Sequence, residues 1–367
     1  MFRTAGGSDM KKLTIYACML LLVAACSGEP TDTRHVIGFY NLENLFDTVD
    51  DPQKDDEDFL PDGRNSWTED KYQEKLSNMA HVIDAMADEN GRYHTILGVC
   101  EVENRKVLED LVAQENISDA GYEVVHHEGP DGRGIDVALL YRPSQFKLLD
   151  SESVPYDFKD SSIDFEMSRK DRKNFRTRDI LMVRGLIGDE MFAFFVAHLP
   201  SRGGDKPGGH QLRSRGAEIM YDHAMELMEE YPGIKIVCMG DMNDNPTDES
   251  MDEYLHGEES LDDVDKDDFF SPYVAMLKAG FGSLSYRGVW NIYDLQLVNH
   301  ALAHAPQGGL RIIDHDGDGY FGNIFKASFL TNQSGKYRGT PFRSFSGGNF
   351  IGGYSDHYPT YIVLDEN

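Results

Sequence analysis

The chain has 367 residues, with 64 acidic against 35 basic side chains, and its formal net charge is −29 at pH 7. General attraction to nucleic acid or anionic lipid is therefore excluded, and a phosphate-bearing substrate would need local arginines or a bound cation. The length, with no evident linker or repeat, predicts one large domain, which we expect to be monomeric.

The first 25 residues have the pattern of a secretory signal. Two lysines precede an apolar run over residues 13–25 that is too short to span a bilayer. The run ends in small residues before Cys26, which resembles a bacterial lipobox, so we expect translation to start at Met10 and the lipidated chain to begin at Cys26. An ordinary cleaved signal is the alternative. With residues 26–34 as a tether, the lipid would anchor the protein to the membrane at the cell envelope, in the periplasm or at the cell surface.

Residues 35–367 have the pattern of a single α/β domain. Short apolar runs alternate with amphipathic stretches, which predicts sheets covered by helices. Surface insertions are expected near residues 248–270 and 300–350. Cys100 and Cys238 lie inside apolar runs and are expected in the core rather than in a disulfide. Three stripes predict helices: Tyr72, Leu76, Met79, Ile83 and Met86; Val107, Leu108, Leu111 and Val112; Leu212, Ile219, Met220, Ala224 and Leu227.

Several apolar runs end in a polar residue that can bind metal or move a proton. Strand ends along one edge of an α/β sheet meet, so these side chains are expected to converge. Glu101 and Asn41 offer the hard oxygen ligands that Mg²⁺ prefers, whereas histidine and cysteine spacings disfavour zinc. The Asp241-x-Asn243 spacing on an extended segment would turn both side chains to one face. The runs HVIGFYN, TILGVCE, FAFFVAH and IKIVCMGDMN end at Asn41, Glu101, His198, and Asp241 with Asn243, and Asp356-His357 precede a final strand over residues 358–363.

Taken in order, these segments resemble the endonuclease/exonuclease/phosphatase family of metal-dependent phosphoesterases. The match is carried by FYNLENLFD, GVCEVEN, GIDVALLYRP, FVAHLPSR, MGDMND, YDLQLVN and GYSDHYP. The resemblance implies a deoxyribonuclease-like fold, which is a four-layer α/β/β/α sandwich with two packed mixed β-sheets. It also implies phosphodiester hydrolysis with Mg²⁺, or alternatively Mn²⁺ or Ca²⁺, and nuclease activity is the leading expectation.

The resemblance further implies roles for the metal-binding and water-activating residues. Glu101 would be the principal metal ligand, with Asn41 as a second ligand. Asp241 would orient or deprotonate the attacking water, and Asn243 would contact the phosphate. Asp356 would either fix the neighbouring histidine or touch the metal.

The remaining roles implied by the resemblance concern charge at the phosphate. His357 would stabilise the transition-state phosphate, and Asp294 would orient a site histidine. His198 would serve the leaving oxygen, and its presence disfavours the apurinic endonucleases, which usually carry tyrosine there. Arg178 lies where the family often has a phosphate-binding arginine. Independently of the resemblance, Arg202 is a candidate phosphate-binding residue because it belongs to a basic stretch directly after His198, and helix-start charges that balance nearby acids are the alternative.

Three questions stay open at the level of sequence. The substrate is either nucleic acid or a lipid headgroup, inositol phosphate or other small phosphoester, since no basic groove with interleaved aromatics is evident. A non-catalytic surface binding protein is the third alternative. The segment DHDGDGYFG resembles the start of a calcium loop, but an Asp-rich turn over Asp314, Asp316 and Asp318 is expected because position twelve is Phe325. Asp136 belongs to the resembling pattern without an assigned role.

Overall fold

The computed structural model describes Met1, residues 32–202 and residues 208–366. The chain divides into two compact units, Met1–Arg34 and His35–Asn367, and every element named below belongs to the second. The predicted signal segment and Cys26 lie outside the described residues, so lipidation stays a prediction. Among the described residues, no helix has the length and apolar character needed to cross a membrane.

The second unit contains eighteen described strands and seven described α-helices. The strands are β1 (His35–Leu45), β2 (Ile96–Val102), β3 (Glu123–His126), β4 (Asp136–Tyr141), β5 (Lys147–Val154), β6 (Ile180–Ile187), β7 (Glu190–His198), β8 (Lys235–Asp241), β9 (Gly257–Glu258), β10 (Phe269–Phe270), β11 (Leu284–Tyr286), β12 (Val289–Asn291), β13 (Asp294–Asn299), β14 (Leu310–Ile313), β15 (Gly322–Ile324), β16 (Phe345–Ser346), β17 (Asn349–Phe350) and β18 (Thr360–Glu366). The helices are α1 (Glu69–Asn90), α2 (Arg105–Val112), α3 (Arg169–Asn174), α4 (Gly209–Glu230), α5 (Glu249–Asp252), α6 (Val274–Lys278) and α7 (His300–Ala303).

The strands form two large mixed sheets. The first has the order β14-β18-β1-β2-β4-β3, with β15 also paired to β18, and the second has the order β5-β6-β7-β8-β13-β10-β9. In each sheet a central pair is parallel, β1 with β2 and β7 with β8, while the strands flanking it pair antiparallel. The parallel pairs are joined through helical segments, as crossover connections require.

Alternation of side chains along the central strands produces the layers. Ile37 on β1 and Met239 on β8 point into a shared core between the sheets, whereas Tyr40 on β1 faces the core beneath α1 and α2. The other face of β8 packs with α4 in a third core. Gly98 lets the sheets approach closely, because a Cβ there would lie 2.6 Å from Met239 Sδ. The predicted four-layer α/β/β/α fold is confirmed.

The structure confirms the predicted helices and buried cysteines. It differs from the prediction at the end of the first strand and at the start of the last strand. The three apolar stripes lie on α1, α2 and α4, and both Cys100 and Cys238 are free and buried. Strand β1 continues past Asn41 to Leu45, and the last strand begins at Thr360 rather than at Tyr358. Tyr358 instead donates its backbone N–H to Ser283 O, which holds it outside the ladder.

The two segments expected as surface insertions also supply strands. Within residues 248–270, β10 carries the buried Phe269 and Phe270 and extends the second sheet through β13. Within residues 300–350, β14 and β15 both pair with β18 in the first sheet. The insertion boundaries themselves stay predictions.

A buried histidine next to β1 should make the fold sensitive to acid. His94 is fully buried, its ring nitrogens have no hydrogen-bond partner among the described residues, and burial lowers its pKa to about 4. Between pH 6.5 and 4 the unfolded chain therefore binds a proton at His94 that the folded protein does not bind. The free energy of unfolding falls as the pH drops through this window, by roughly 3 kcal/mol. We expect His94→Gln to lose less stability between pH 7 and 4.5 than the wild type in urea unfolding. Equal losses would contradict this account.

Candidate active site

Strand register brings the polar strand ends of both sheets together. In the second sheet, Asp241 at the end of β8 lies opposite His198 on β7 and Asp294 on β13. In the first sheet, Asn41 on β1 lies opposite Cys100 on β2, directly before Glu101. Five strands of two packed sheets therefore deliver their polar residues to one edge.

The backbone at this edge is strained where the side chains must turn inward. Of the eight non-glycine residues with positive φ in the described chain, four lie here: Glu43 at 47°, Asn44 at 59°, Glu101 at 59° and Asn243 at 51°. The ladder is irregular after Asn41, and the pairing of β2 with β4 has one extra residue at Glu101, as in a β-bulge. Such conformations cost roughly 1–3 kcal/mol each and cluster at functional sites. For Asn243, this turn overturns the expectation that it shares one extended face with Asp241.

Asn41 links the two central carboxylates. Its Nδ2 donates to Glu101 Oε1 at 3.2 Å and to Asp241 Oδ2 at 3.0 Å, and its Oδ1 accepts from Glu43 N at 2.8 Å. Glu101 Oε2 accepts from Asn44 N at 3.0 Å. The amide nitrogen, not the oxygen, thus faces the carboxylates. The metal-ligand role of Asn41 stays a prediction that requires the amide to rotate.

The donor set around Glu101 fits a divalent cation. One ligand atom each from Glu101, His198 and Asp241 lie within 4.8 Å of one another, and His198 Nε2 is 3.6 Å from Asp241 Oδ2. Burial raises the pKa of Glu101, with a further contribution from Asp356, and burial raises that of Asp241 to about 7. Two converging carboxylates, of which Asp241 is buried and Glu101 is partly exposed, are an arrangement whose mutual repulsion a bound cation would offset, and their oxygens suit Mg²⁺.

His357 is held by a buried carboxylate. Its Nδ1 lies 2.8 Å from Asp294 Oδ2, which also accepts from Ser283 Oγ at 2.6 Å. Its Nε2 points toward Asp241, 3.9 Å from Oδ2. Burial alone would lower the pKa of His357, but Asp294, Asp241 and Asp356 raise it well above the ordinary value. The three carboxylates therefore favour the protonated ring of His357, whose Nε2 faces the site, and the contact with Asp294 is the one that the resemblance implied.

His198 has the opposite electrostatic character. Burial lowers its pKa well below the ordinary value, and Arg178, Arg133 and His357 lower it further. Its Nδ1 has no hydrogen-bond partner among the described residues. The site thus combines two imidazoles with opposite pKa shifts, and the Nε2 atom of each lies within 4 Å of Asp241 Oδ2.

Asp356 is anchored by an arginine that sequence reasoning missed. Arg343 Nη2 lies 3.0 Å from Asp356 Oδ2 and 3.0 Å from Glu43 Oε1, so it joins both carboxylates. Glu43 is buried and also accepts from Ser344 N. Asp356 is thus held by Arg343, while Asp294 holds His357; whether Asp356 also touches metal stays a prediction.

Lys75 is a fully buried basic residue next to this network. Its Nζ donates to Ser344 Oγ at 2.6 Å and to Tyr354 O at 3.3 Å, and burial lowers its pKa to about 8. The sequence indicates that Lys75 is buried, because Lys75 lies on the same helical face as Tyr72 and Met79. A lysine within an apolar stripe is rarely buried without a partner.

The two predicted phosphate-binding arginines already have protein acceptors. Arg178 is buried and donates to His198 O at 3.0 Å and to Leu199 O at 2.9 Å. Arg202 donates to Asn243 O at 2.8 Å and is paired with Asp244 and Asp248. Asn243 Nδ2 donates to Leu199 O at 3.0 Å. These contacts fix the backbone after His198, and direct phosphate binding stays a prediction for all three residues.

A substitution of Arg178 can distinguish whether this residue positions His198 or contacts the phosphate. Lysine cannot reproduce the planar fork that serves two carbonyls, so we expect Arg178→Lys to destabilise the fold by roughly 1–3 kcal/mol. Displacement of His198 should lower kcat roughly ten- to hundredfold. Steady-state kinetics on a small phosphodiester should show KM within twofold of the wild type. A raised KM with unchanged kcat would instead support phosphate binding.

Two further sequence features lie outside the site. Asp136 accepts from Gly129 N at 3.0 Å and lies 3.2 Å from His126 Nε2, so it holds the loop before β4. Asp314 accepts from the backbone N–H groups of Gly317 and Gly319, which makes the Asp-rich segment a self-bonded turn. The carboxylate oxygens of Asp314 therefore serve this turn, and calcium binding there stays a prediction.

Comparisons with known proteins identify the relatives. The model of the Endonuclease/Exonuclease/phosphatase family matches residues 36–366. D. rerio TDP2, complexed with single strand DNA product, has a TM-score of 0.51 at 12% identity over 91% of this chain and 100% of that chain. A family protein from Bacteroides thetaiotaomicron (TM-score 0.49, 14% identity, 92% and 96% covered) and the human Nocturnin catalytic domain with bound sulfate (0.49, 14%, 92% and 95%) also match. No curated protein matches.

Proposed function

The chain belongs to the Endonuclease/Exonuclease/phosphatase family, and from this premise we propose that it is a divalent-metal-dependent phosphodiester hydrolase. The observation that carries the proposal is the convergence of Glu101, His198 and Asp241 with the Asp294–His357 pair at one edge of two sheets. Nuclease activity is the leading specific form. The signal-like segment supports action outside the cytoplasm, from a lipid anchor on Cys26.

A cation would be held by Glu101, with Asn41 and Asp356 as further candidates, and when bound it would offset the negative charge of a phosphate. The chain's own residues supply the rest of the chemistry. Asp241 Oδ2 accepts from Asn41 Nδ2 and lies 3.6 Å from His198 Nε2 and 3.9 Å from His357 Nε2, so it is placed to orient a water and accept its proton.

The two imidazoles divide the remaining tasks. His357, held as an imidazolium by Asp294, stabilises the negative charge that develops on the phosphoryl oxygens. His198 faces the same point from β7 with a neutral ring, and it donates a hydrogen bond to the leaving oxygen. Arg178 contributes by fixing the carbonyl of His198.

The two alternatives to nuclease activity place different chemical requirements on the site. Hydrolysis of a lipid headgroup or small phosphoester uses the same chemistry, so only substrate preference distinguishes it. A non-catalytic binding protein has no need of a complete buried proton-transfer set. The presence of every expected site residue argues against that alternative.

A substrate panel tests the proposal. Purified protein should hydrolyse bis(p-nitrophenyl) phosphate and at least one of DNA, RNA, sphingomyelin or an inositol phosphate with Mg²⁺ or Mn²⁺, and lose activity with excess chelator. A protein inactive on the entire panel with Mg²⁺, Mn²⁺ and Ca²⁺ would revive the non-catalytic alternative.

A further inference from the structure

A short segment of this acidic chain is strongly basic. Residues 169–178 contain six of the 35 basic residues and a single carboxylate, in a chain with a net charge of −29. The segment comprises α3 and the approach to β6, and it ends at Arg178, which binds the carbonyl of His198. The basic charge is therefore concentrated directly beside the candidate active site.

The segment lines two adjoining clefts. The cleft nearer the site, about 560 Å³, and its neighbour, about 660 Å³, share Phe175 and Arg176 in their walls. Arg178 and Arg133 line the nearer cleft, and the charge of Arg133 reaches His198. Five basic residues and one carboxylate line the farther cleft: Lys159, Arg169, Arg172, Lys173, Arg176 and Asp157.

Most cations described on this surface have no carboxylate partner, although Arg172 donates to Met167 O and Arg176 donates to Lys173 O and Phe175 O. Among the described residues, no carboxylate forms an ion pair with Arg169, Arg172, Lys173 or Arg176, although Arg133 is 3.3 Å from Asp131. Three arginines elsewhere have carboxylate partners: Arg184 pairs with Asp150, Arg202 with Asp244, and Arg215 with Glu218. We call Arg133, Arg169, Arg172, Lys173 and Arg176 the basic track.

Aromatic rings are interleaved with these cations. Phe175 lies between the clefts and packs at 5.7 Å from Tyr156 and 5.8 Å from Phe158, and Arg172 lies 5.3 Å over Phe165. All four rings are partly exposed. Alternating cations and partly exposed rings in a concave wall suit a chain of phosphates and bases. The sequence-based expectation that no such groove exists is wrong for this face.

We propose that the basic track binds a single-stranded segment of a nucleic acid substrate, on the side of the scissile phosphate that lies beyond His198. The proposal rests on the proposed function and specifies its substrate class. Charge complementarity favours a polyanion, since the rest of the surface repels one. The concave walls favour a strand over a flat anionic membrane, which would need the cations on a convex or planar face.

Binding measurements test the proposal without depending on catalysis. We would measure anisotropy of a fluorescein-labelled mixed-sequence 20-mer with full-length protein in Mg²⁺, in a His357→Ala background that blocks hydrolysis. Arg169→Gln/Arg172→Gln/Lys173→Gln/Arg176→Gln is the test variant, and Arg169→Gln/Lys173→Gln, at two exposed positions, is a milder one. Lys147→Gln/Lys266→Gln/Lys278→Gln/Arg311→Gln removes as many charges elsewhere and serves as the control.

We expect the test variant to bind the 20-mer at least about tenfold more weakly at 0.1 M salt, with the milder variant intermediate. The slope of log affinity against log salt should fall by about 0.7 for each lost phosphate contact, so by as much as about 3. The control should lose less than twofold. With His357 restored, hydrolysis of bis(p-nitrophenyl) phosphate by the test variant should stay within twofold of wild type.

The outcomes that overturn this proposal are distinguishable from failure of the proposed function. Equal binding by test and control variants would show that the track does not hold nucleic acid. Loss of binding to phosphatidylglycerol vesicles with unchanged binding to the 20-mer would assign the track to a membrane surface. Failure of the wild type on the small diester would count against the proposed function alone, because the binding comparison does not require hydrolysis.

Discussion

Asp241→Asn is expected to lower kcat/KM for a small phosphodiester by about 10²- to 10⁴-fold, the range for loss of a general base. The carboxylate is buried, and its Oδ2 lies 3.6 Å from His198 Nε2 and 3.9 Å from His357 Nε2. Asparagine keeps the size of the side chain and can still accept from Asn243 N, which bonds Oδ1 at 3.0 Å. The fold should therefore persist while proton transfer is lost.

The control for this variant is Asp252→Asn, which removes an exposed carboxylate downstream of the same strand. We expect its kcat/KM within twofold of wild type. Steady-state kinetics with p-nitrophenolate release, together with a thermal melt, measures both variants. Asp241→Asn activity within tenfold of wild type would remove Asp241 from the proton-transfer role.

Glu101→Gln is expected to lower kcat/KM by about 10³-fold, because it weakens a charge stabilisation worth several kcal/mol. The amide keeps a hydrogen-bonding group beside Asn41 but removes the negative charge from the buried donor set. Higher Mg²⁺ should restore only part of the activity. A Mg²⁺ titration of initial rate measures both effects.

Glu103→Gln provides a matched control two residues away. Glu103 is also buried, accepts from Asp47 N at 2.7 Å, and does not belong to the metal-binding groups found among the described residues. Burial raises its pKa to about 8, so glutamine replaces a side chain that is mostly neutral at pH 7. Wild-type Mg²⁺ dependence is expected. Equal losses in Glu101→Gln and Glu103→Gln would indicate general damage to β2 rather than loss of a ligand.

Much of the fold and the central site was readable from local pattern. Apolar runs of strand length predict buried strands, and a reactive residue directly after such a run predicts a side chain at the sheet edge. This reasoning found Glu101, His198 and Asp241. It could not find the left-handed turn at Asn243, because the end of β8 at Asp241 is set by pairing with β13 rather than by the sequence around it.

Contacts between segments that are far apart in the chain could not be predicted from local sequence patterns. Arg343 and Glu43 are 300 positions apart, and no spacing rule pairs them. The partners of Arg178 were also unpredictable, since its guanidinium binds backbone carbonyls, which every residue has. The basic segment 169–178 was visible in the sequence. The net charge of the whole chain, −29, gives no indication of this local charge of opposite sign.

We propose that the edge around Glu101 and Asp241 is a metal-dependent phosphodiesterase site. Hydrolysis of bis(p-nitrophenyl) phosphate by wild type and Glu101→Gln, each with Mg²⁺ and with excess EDTA, tests it most directly. Our account predicts turnover only for wild type with Mg²⁺, with roughly 10³-fold less for Glu101→Gln. Equal rates for the two proteins, or wild-type turnover that survives EDTA, would contradict it.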